Sequence, residues 1–306
     1  MSQKDGPHMA SIKKFIKDTF KNIFERINTY GKLVMFSHTL FSLPFALIAL
    51  MIAADGLPSA RLFFWIMVCL FAGRNGANAL NRWVDQKYDA LNPRTQNRHM
   101  PQGKVKPYEV FLITAICYVI FVFGAYQINT ICFILSPVAL ALFTLYSFTK
   151  RFTWLCHVVL GITCAGAPVG AWLAVTGSFD WIPLLLGAVV TLWVSGFDII
   201  YGTQDIDFDR NMGLFSIPAR FGLKHALLIS RGFHLIMWGL LLAVGYLASL
   251  SVIYYIGVFI SGFLLLLEHG IIDPKHRRKM NYAAYHINQI ISMLLLCATT
   301  LDIFLL

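Results

Sequence analysis

Residues 181–209 read WIPLLLGAVVTLWVSGFDIIYGTQDIDFD, an apolar run from 181 to 201 that passes without a break into a cluster of aspartates. About 20 predominantly apolar residues is the length of helix that crosses the hydrocarbon core of a bilayer, and an acidic tail belongs at water. The stretch therefore predicts a transmembrane helix whose polar end emerges at a membrane face. Runs of the same kind occur at 33–54, 62–81, 108–127, 130–149, 154–176, 225–248, 252–270 and 285–306. Backbone amides in lipid must be satisfied within their own segment, and strands would be half as long and would alternate, so each run predicts a helix. The expected fold is all-α and polytopic: nine transmembrane helices over residues 33–306, after an N-terminal segment of residues 1–32. In the fifth run, Gly161, Gly166, Pro168 and Gly170 predict a close helix crossing or a kink.

Composition agrees. With 58% hydrophobic and 13% charged residues, the 306-residue chain carries more apolar surface than a soluble core of that size could hide. The net charge of +10 is spread over the connections between apolar runs rather than gathered on a soluble domain, which argues against a nucleic-acid partner. The six cysteines sit in apolar stretches with no CxxC pair, as expected of free thiols. The Lys-rich start of the chain does not resemble a cleavable signal peptide.

The basic residues report topology. Lys13, Lys14, Lys17, Lys21, Arg26 and Lys32 precede the first run, and the connections after the second, fourth, sixth and eighth runs are also basic, whereas the opposite connections carry only Arg61. By the positive-inside rule the N-terminus and the long loops are expected in the cytoplasm and the C-terminus outside, which places the protein in a cell inner (plasma) membrane. Residues 12–27 set Ile12, Phe15, Ile16, Phe20, Ile23, Phe24 and Ile27 on one face, the pattern of a helix lying on the membrane surface.

Two polar stripes interrupt the apolar runs. Arg74, Asn78, Asn81, Asp85 and Asp89 fall at helical spacing on the second run, and Asp198, Tyr201, Asp205 and Asp209 repeat the offsets of Asn78, Asn81, Asp85 and Asp89 on the sixth. The shared offsets predict two related helices facing one cavity. Carboxylates four residues apart repel, and the negative end of a helix dipole adds to the repulsion, so a bound cation is expected. Oxygen-only ligands favour Mg²⁺, which seldom sits in an all-protein cage and takes phosphate oxygens as further ligands. Solvated loop carboxylates would account for single aspartates but not for two spaced pairs. Arg94 and Arg98 follow the first stripe, and Lys150 and Arg151 end the fourth run after Tyr146, supplying cationic donors at the same membrane face. Arg98 and Arg151 also fit the positive-inside pattern on their own.

These residues stand in a recognisable order: NRWVDQKYD (81–89), NPRTQNRHMPQG (92–103), YSFTKR (146–151), DIIYGTQDIDFD (198–209) and SIPARFG (216–222). The chain resembles the UbiA superfamily of intramembrane prenyltransferases over nearly its whole length. That resemblance implies a nine-helix bundle around a central cavity with a cytoplasmic cap, and a polyprenyl diphosphate bound through two Mg²⁺ ions. Asn81, Asp85 and Asp89 match the first metal motif and Asp205 and Asp209 the second. Asp198 matches the aspartate of the family's YDxxY segment, with Phe197 in place of the tyrosine before it. The expected reaction is loss of diphosphate, neutralised by Mg²⁺, Lys150 and Arg94 and assisted by Arg98 and Arg151, to give an allylic cation. An aromatic ring attacks that cation, and a carboxylate, for which Asp198 is the candidate, takes the ring proton or orients the acceptor.

Residues 36–50 (FSHTLFSLPFALIAL) look like the quinone-biosynthesis members, whose acceptor is 4-hydroxybenzoate or a dihydroxynaphthoate, and the DALNPRTQNRHMP phrasing leans toward the menaquinone branch. Asn78, Tyr201, Arg74 and His38 are candidate acceptor contacts, because polar side chains within the bilayer face a cavity or a partner. A helix-packing hydrogen bond explains His38 equally well. No protein partner is evident. Haem, chlorophyllide or a glycerol phosphate as acceptor, and a cation-coupled transporter built on Asp198 and Arg74, are the competing readings.

Overall fold

In a computed structural model, residues 29–31, 33, 39–272, 280 and 282–305 are described. His38 and the amphipathic segment 12–27 lie outside them. Among the described residues all regular structure is helical. Its helices are α1 (Thr39–Ala54), α2 (Ala60–Val84), α3 (Gln86–Leu91), α4 (Pro107–Ile128), α5 (Thr130–Phe148), α6 (Cys156–Thr176), α7 (Trp181–Gly202), α8 (Ile206–Asn211), α9 (Ile217–Leu247), α10 (Val252–Ile271) and α11 (Asn288–Leu305). Short 3₁₀ turns occupy Thr149–Arg151 and Thr203–Asp205.

Seven helices are long and apolar enough to cross a bilayer, α4 to α7 and α9 to α11, some with flanking turns. The other two runs of the expected nine correspond to α1, of 16 residues, and α2, of 25. Arg74, Asn75, Asn78, Asn81 and Arg82 make the second half of α2 too polar to count on hydropathy alone.

The helix ends follow local chemistry. The Asn129 side chain accepts a hydrogen bond from the Cys132 amide to start α5, and Ser216 does the same for Ala219 at the start of α9. Pro107 opens α4, where its missing amide is harmless, and Glu109 reaches back to the Lys106 amide.

α6 lies between the two motif-bearing helices, packing against both α2 and α7. Gly161 makes the α6–α7 crossing close: a Cβ there would lie 2.3 Å from the Thr191 carbonyl oxygen. α4 and α5 flank α2, while α9, α10 and α11 continue from α7 and return to α1. The main apolar core joins Phe45, Leu50, Leu186, Trp193, Leu241, Tyr254 and Ile291, with the Phe45 and Trp193 rings 4.9 Å apart. Large apolar side chains such as Phe111, Phe123, Ile134, Leu235, Phe263 and Leu266 point outward, as a lipid solvent requires. The apolar helices thus hold α2 and α7 apart, leaving a polar opening between their ends.

Candidate active site

A cavity of about 230 Å³ lies between α2, α5, α6 and α7 at the end of the bundle where both aspartate motifs emerge. It is lined by Arg74, Asn78, Asn81, Asp85, Asp89, Arg94, Arg98, Lys150, Arg151, Asp198, Tyr201, Asp205 and Asp209. Every candidate site residue from the sequence except His38, which is outside the described residues, is therefore brought to one place.

The stripes do not run on single continuous helices. α2 ends at Asp85, which has φ −88° and ψ 5°, and α3 starts on the next residue. α7 gives way to the 3₁₀ turn that ends at Asp205, and α8 follows. α-Helical geometry stops at the first aspartate in one motif and at Gly202, three residues before it, in the other. Neither carboxylate caps the helix that follows it. Both are engaged across the cavity.

Each of the four motif aspartates meets a basic side chain. Arg151 Nη2 donates to Asp85 Oδ1 at 3.1 Å, and Arg98 Nη1 grips both oxygens of Asp89 at 2.6 and 2.8 Å. Arg94 Nε donates to Asp205 Oδ1 at 2.9 Å, with its Nη2 on the other oxygen, and Lys150 Nζ lies 3.4 Å from Asp209 Oδ2. The pairing is crosswise. The loop after α3 sends Arg98 to its own motif and Arg94 to the other, and the adjacent Lys150 and Arg151 likewise divide between the two.

Neutral donors complete the shell. Asn81 Nδ2 donates to Asp85 Oδ2 at 3.0 Å, Asn92 Nδ2 to Asp205 Oδ1 at 3.1 Å, and Ser216 Oγ to Asp209 Oδ2 at 2.8 Å. Burial pushes the Asp85 carboxyl above its ordinary pKa, with Arg151 offsetting part of the rise. Burial opposes the Arg94 charge, yet the hydrogen bonds and charge of Asp205 hold the guanidinium above its ordinary value.

Deeper in the bundle, Asp198 Oδ2 lies 2.7 Å from Nδ1 of His157, a buried histidine on α6. The Arg94 guanidinium also reaches the Tyr201 hydroxyl, and Tyr285 stacks edge-on to Tyr201 with ring centroids 5.1 Å apart. Arg74 Nη1 donates to Cys164 Sγ at 3.2 Å. His157, Asn92, Ser216 and Tyr285 were not among the residues singled out from sequence. For His157 a signal existed: it is an imidazole inside an apolar run, the criterion that selected His38.

The donor set fits magnesium. Four carboxylates line one cavity, and the side chains that hold them are arginine, lysine, asparagine and serine rather than thiol or imidazole, so their oxygens suit a hard divalent cation. Arg94, Arg98, Lys150 and Arg151 stand where they could take phosphate oxygens.

Comparison with known proteins agrees with this geometry. The family model described as "UbiA prenyltransferase family" matches residues 42–292. A 4-hydroxybenzoate octaprenyltransferase of Vibrio parahaemolyticus is 30% identical over 251 residues, covering 81% of this chain and 86% of that protein. The apo structure of a UbiA homolog from Aeropyrum pernix K1 superposes with a TM-score of 0.79 at 30% identity, over 87% of this chain and 98% of that one. A UbiA homolog from Archaeoglobus fulgidus bound to GPP and Mg²⁺ shares the fold, with a TM-score of 0.65 at 18% identity over 90% of this chain and 99% of that one. Two aspartate motifs facing one cavity, a family match across most of the length and a shared fold lead to one conclusion: this membrane-embedded chain belongs to the UbiA prenyltransferase family.

Proposed function

We propose that the protein transfers a polyprenyl group from its diphosphate to an aromatic carboxylic acid, 4-hydroxybenzoate or a dihydroxynaphthoate, in a Mg²⁺-dependent step of quinone biosynthesis. The observation that carries this reading is the single cavity in which four paired carboxylates at the mouth lie above the Asp198–His157 pair. The names of the relatives favour the aromatic acid as acceptor.

Asp85 and Asp89, with Asn81, would hold one Mg²⁺, and Asp205 and Asp209 the other. Once bound, these ions supply charge neutralisation that makes the diphosphate a better leaving group. The chain's own cations do the rest of that work. Arg94, Arg98, Lys150 and Arg151 exchange carboxylate partners for phosphate oxygens and orient the diphosphate with its C1–O bond toward the cavity. The prenyl tail lies along the lipid-facing wall, where each buried CH₂ contributes about 0.8 kcal/mol. As the C1–O bond breaks and the ring carbon bonds to C1, Asp198 accepts the ring proton. His157 fixes the carboxylate for that transfer through its 2.7 Å contact. Asn78, Tyr201 and Arg74 face the acceptor, and Arg74 offers a positive charge to its carboxylate.

The basic loops orient the motif end toward the cytoplasm, with nine crossings in the inner membrane and the C-terminus outside. The test is prenyl transfer by the purified protein from a labelled prenyl diphosphate to a panel of aromatic acids, with and without EDTA. Mg²⁺-dependent product with 4-hydroxybenzoate or a dihydroxynaphthoate is expected. Diphosphate release with no aromatic acid prenylated would overturn the acceptor class. Ion flux in proteoliposomes that survives Asp85→Ala would support transport instead. His157→Ala should lower kcat about 10²–10⁴-fold while leaving diphosphate affinity unchanged.

A further inference from the structure

A second set of ionisable groups lies inside the bundle, outside the aspartate-lined cavity: His234 on α9 with Glu268 and His269 on α10. His234 Nδ1 is 3.0 Å from His269 Nε2 and 3.5 Å from Glu268 Oε2. One ligand atom from each residue falls within 4.8 Å of the others. His234 is 1% exposed and Glu268 is 0% exposed. A carboxylate in an apolar interior costs several kcal/mol unless it is paired. Yet Glu268 Oε2 accepts no hydrogen bond among the described residues.

The tautomer of His234 sharpens the point. Its Nε2 lies 3.4 Å from the Trp193 carbonyl oxygen, which only accepts, so the proton sits on Nε2 and Nδ1 presents a lone pair. His269 Nε2–H can satisfy that lone pair, but no donor then remains for Glu268 Oε2. One cation between the three atoms satisfies them together. An ion with bonds of about 2.0–2.2 Å in tetrahedral geometry sets its ligands about 3.3–3.6 Å apart; the 3.5 Å separation falls in that range and the 3.0 Å separation lies a few tenths of an ångström below it.

Outer partners hold two of the three residues, while His269 Nδ1 has no hydrogen-bond partner among the described residues. Metal-bound histidines donate their other ring N–H to a carbonyl or carboxylate, as His234 does to Trp193. Glu268 Oε1 accepts from Asn288 Nδ2 at 2.8 Å, and Asn288 Oδ1 accepts from Trp193 Nε1 at 2.6 Å. Gly196 makes room for the imidazole, since a Cβ there would lie 2.2 Å from His234 Nε2.

We propose that His234, Glu268 and His269 bind one late first-row divalent cation, Zn²⁺ being the expected occupant, at a site separate from the aspartate-lined cavity. Two imidazoles and one carboxylate select zinc over magnesium. The ion joins α9 to α10 and, through Asn288 and Trp193, to α11 and α7. Because Trp193 also lines the aspartate cavity, the ion steadies the apolar wall against which substrate sits. Zinc binding there does not depend on which acceptor the enzyme uses.

The test uses the full chain in detergent, stripped with a chelating resin and titrated with Co²⁺ in excess Mg²⁺ so that the aspartates are occupied. Intense visible bands of four-coordinate Co²⁺, saturating at about one equivalent and bleached by Zn²⁺, are expected. They should vanish in His234→Ala and Glu268→Gln and persist in Asp85→Asn. Asn288→Leu should weaken Co²⁺ binding about 10–100-fold by freeing Glu268 from its outer partner. Only the faint bands of six-coordinate Co²⁺, or uptake unchanged in His234→Ala, would overturn the proposal and leave a proton-sharing triad. Should the His234 and Glu268 variants fail to fold, X-ray absorption at the cobalt edge of the wild-type protein decides: two imidazoles support the site, and an oxygen-only shell refutes it.

Discussion

The two aspartate motifs have the same spacing and each lies at a break in its helix, but they are held differently. In the first, the Asp85 side chain is 26% exposed and Asp89 9%; in the second, Asp205 is 5% exposed and Asp209 2%. Asp205 takes a two-pronged arginine and an asparagine, and Asp209 a lysine and a serine. Asp85 has one arginine contact and an asparagine from its own helix. Equal spacing thus supports unequal anchoring: the second motif is buried and held at both aspartates, whereas in the first Asp89 is gripped by Arg98 and Asp85 is the most exposed of the four.

The largest effect that tests this contrast comes from Asp205→Ala. It strands the Arg94 guanidinium among buried groups and should cost about 3–5 kcal/mol of stability in a detergent unfolding assay, while prenyl transfer falls about 10³-fold. A variant as stable as wild type would break the comparison. Asp85→Asn should lower transfer about 10²–10³-fold while changing stability by less than about 1 kcal/mol, because the amide oxygen can still accept from Arg151 and burial already disfavours the Asp85 charge. Equal destabilisation by the two changes would show that the motifs are equally anchored. The smallest effect is that of Ser216→Ala, which removes a donor to Asp209 and the cap of α9 together. About 1–2 kcal/mol of stability and a few-fold loss of activity are expected.

Much of this was legible in the chain. Apolar runs of bilayer length gave the helices, and the repeated offsets gave the aspartates, because period and charge are local properties. The partners of those aspartates are not local: Arg94 meets Asp205 across 111 residues and Lys150 meets Asp209 across 59. Spacing gathered the four cations at one membrane face but could not divide them between the motifs. The helix breaks were also hidden, since a polar stripe reads the same whether the helix continues or restarts at Asp85. His157 and His234 escaped for a related reason. A single imidazole in an apolar run has no sequence pattern until packing brings Asp198 to one and Glu268 to the other.

The crosswise pairing also governs how a substrate arrives. Six basic and five acidic side chains line the cavity, so its charges cancel to within one. Without its metal ions such a mouth projects little field beyond a Debye length and does little to draw an anion through water. The prenyl diphosphate of the proposed reaction would instead be concentrated by its tail, its search a lateral one in the plane of the bilayer. Capture by the metal-free chain should then be nearly indifferent to ionic strength and sensitive to the fluidity of the surrounding lipid.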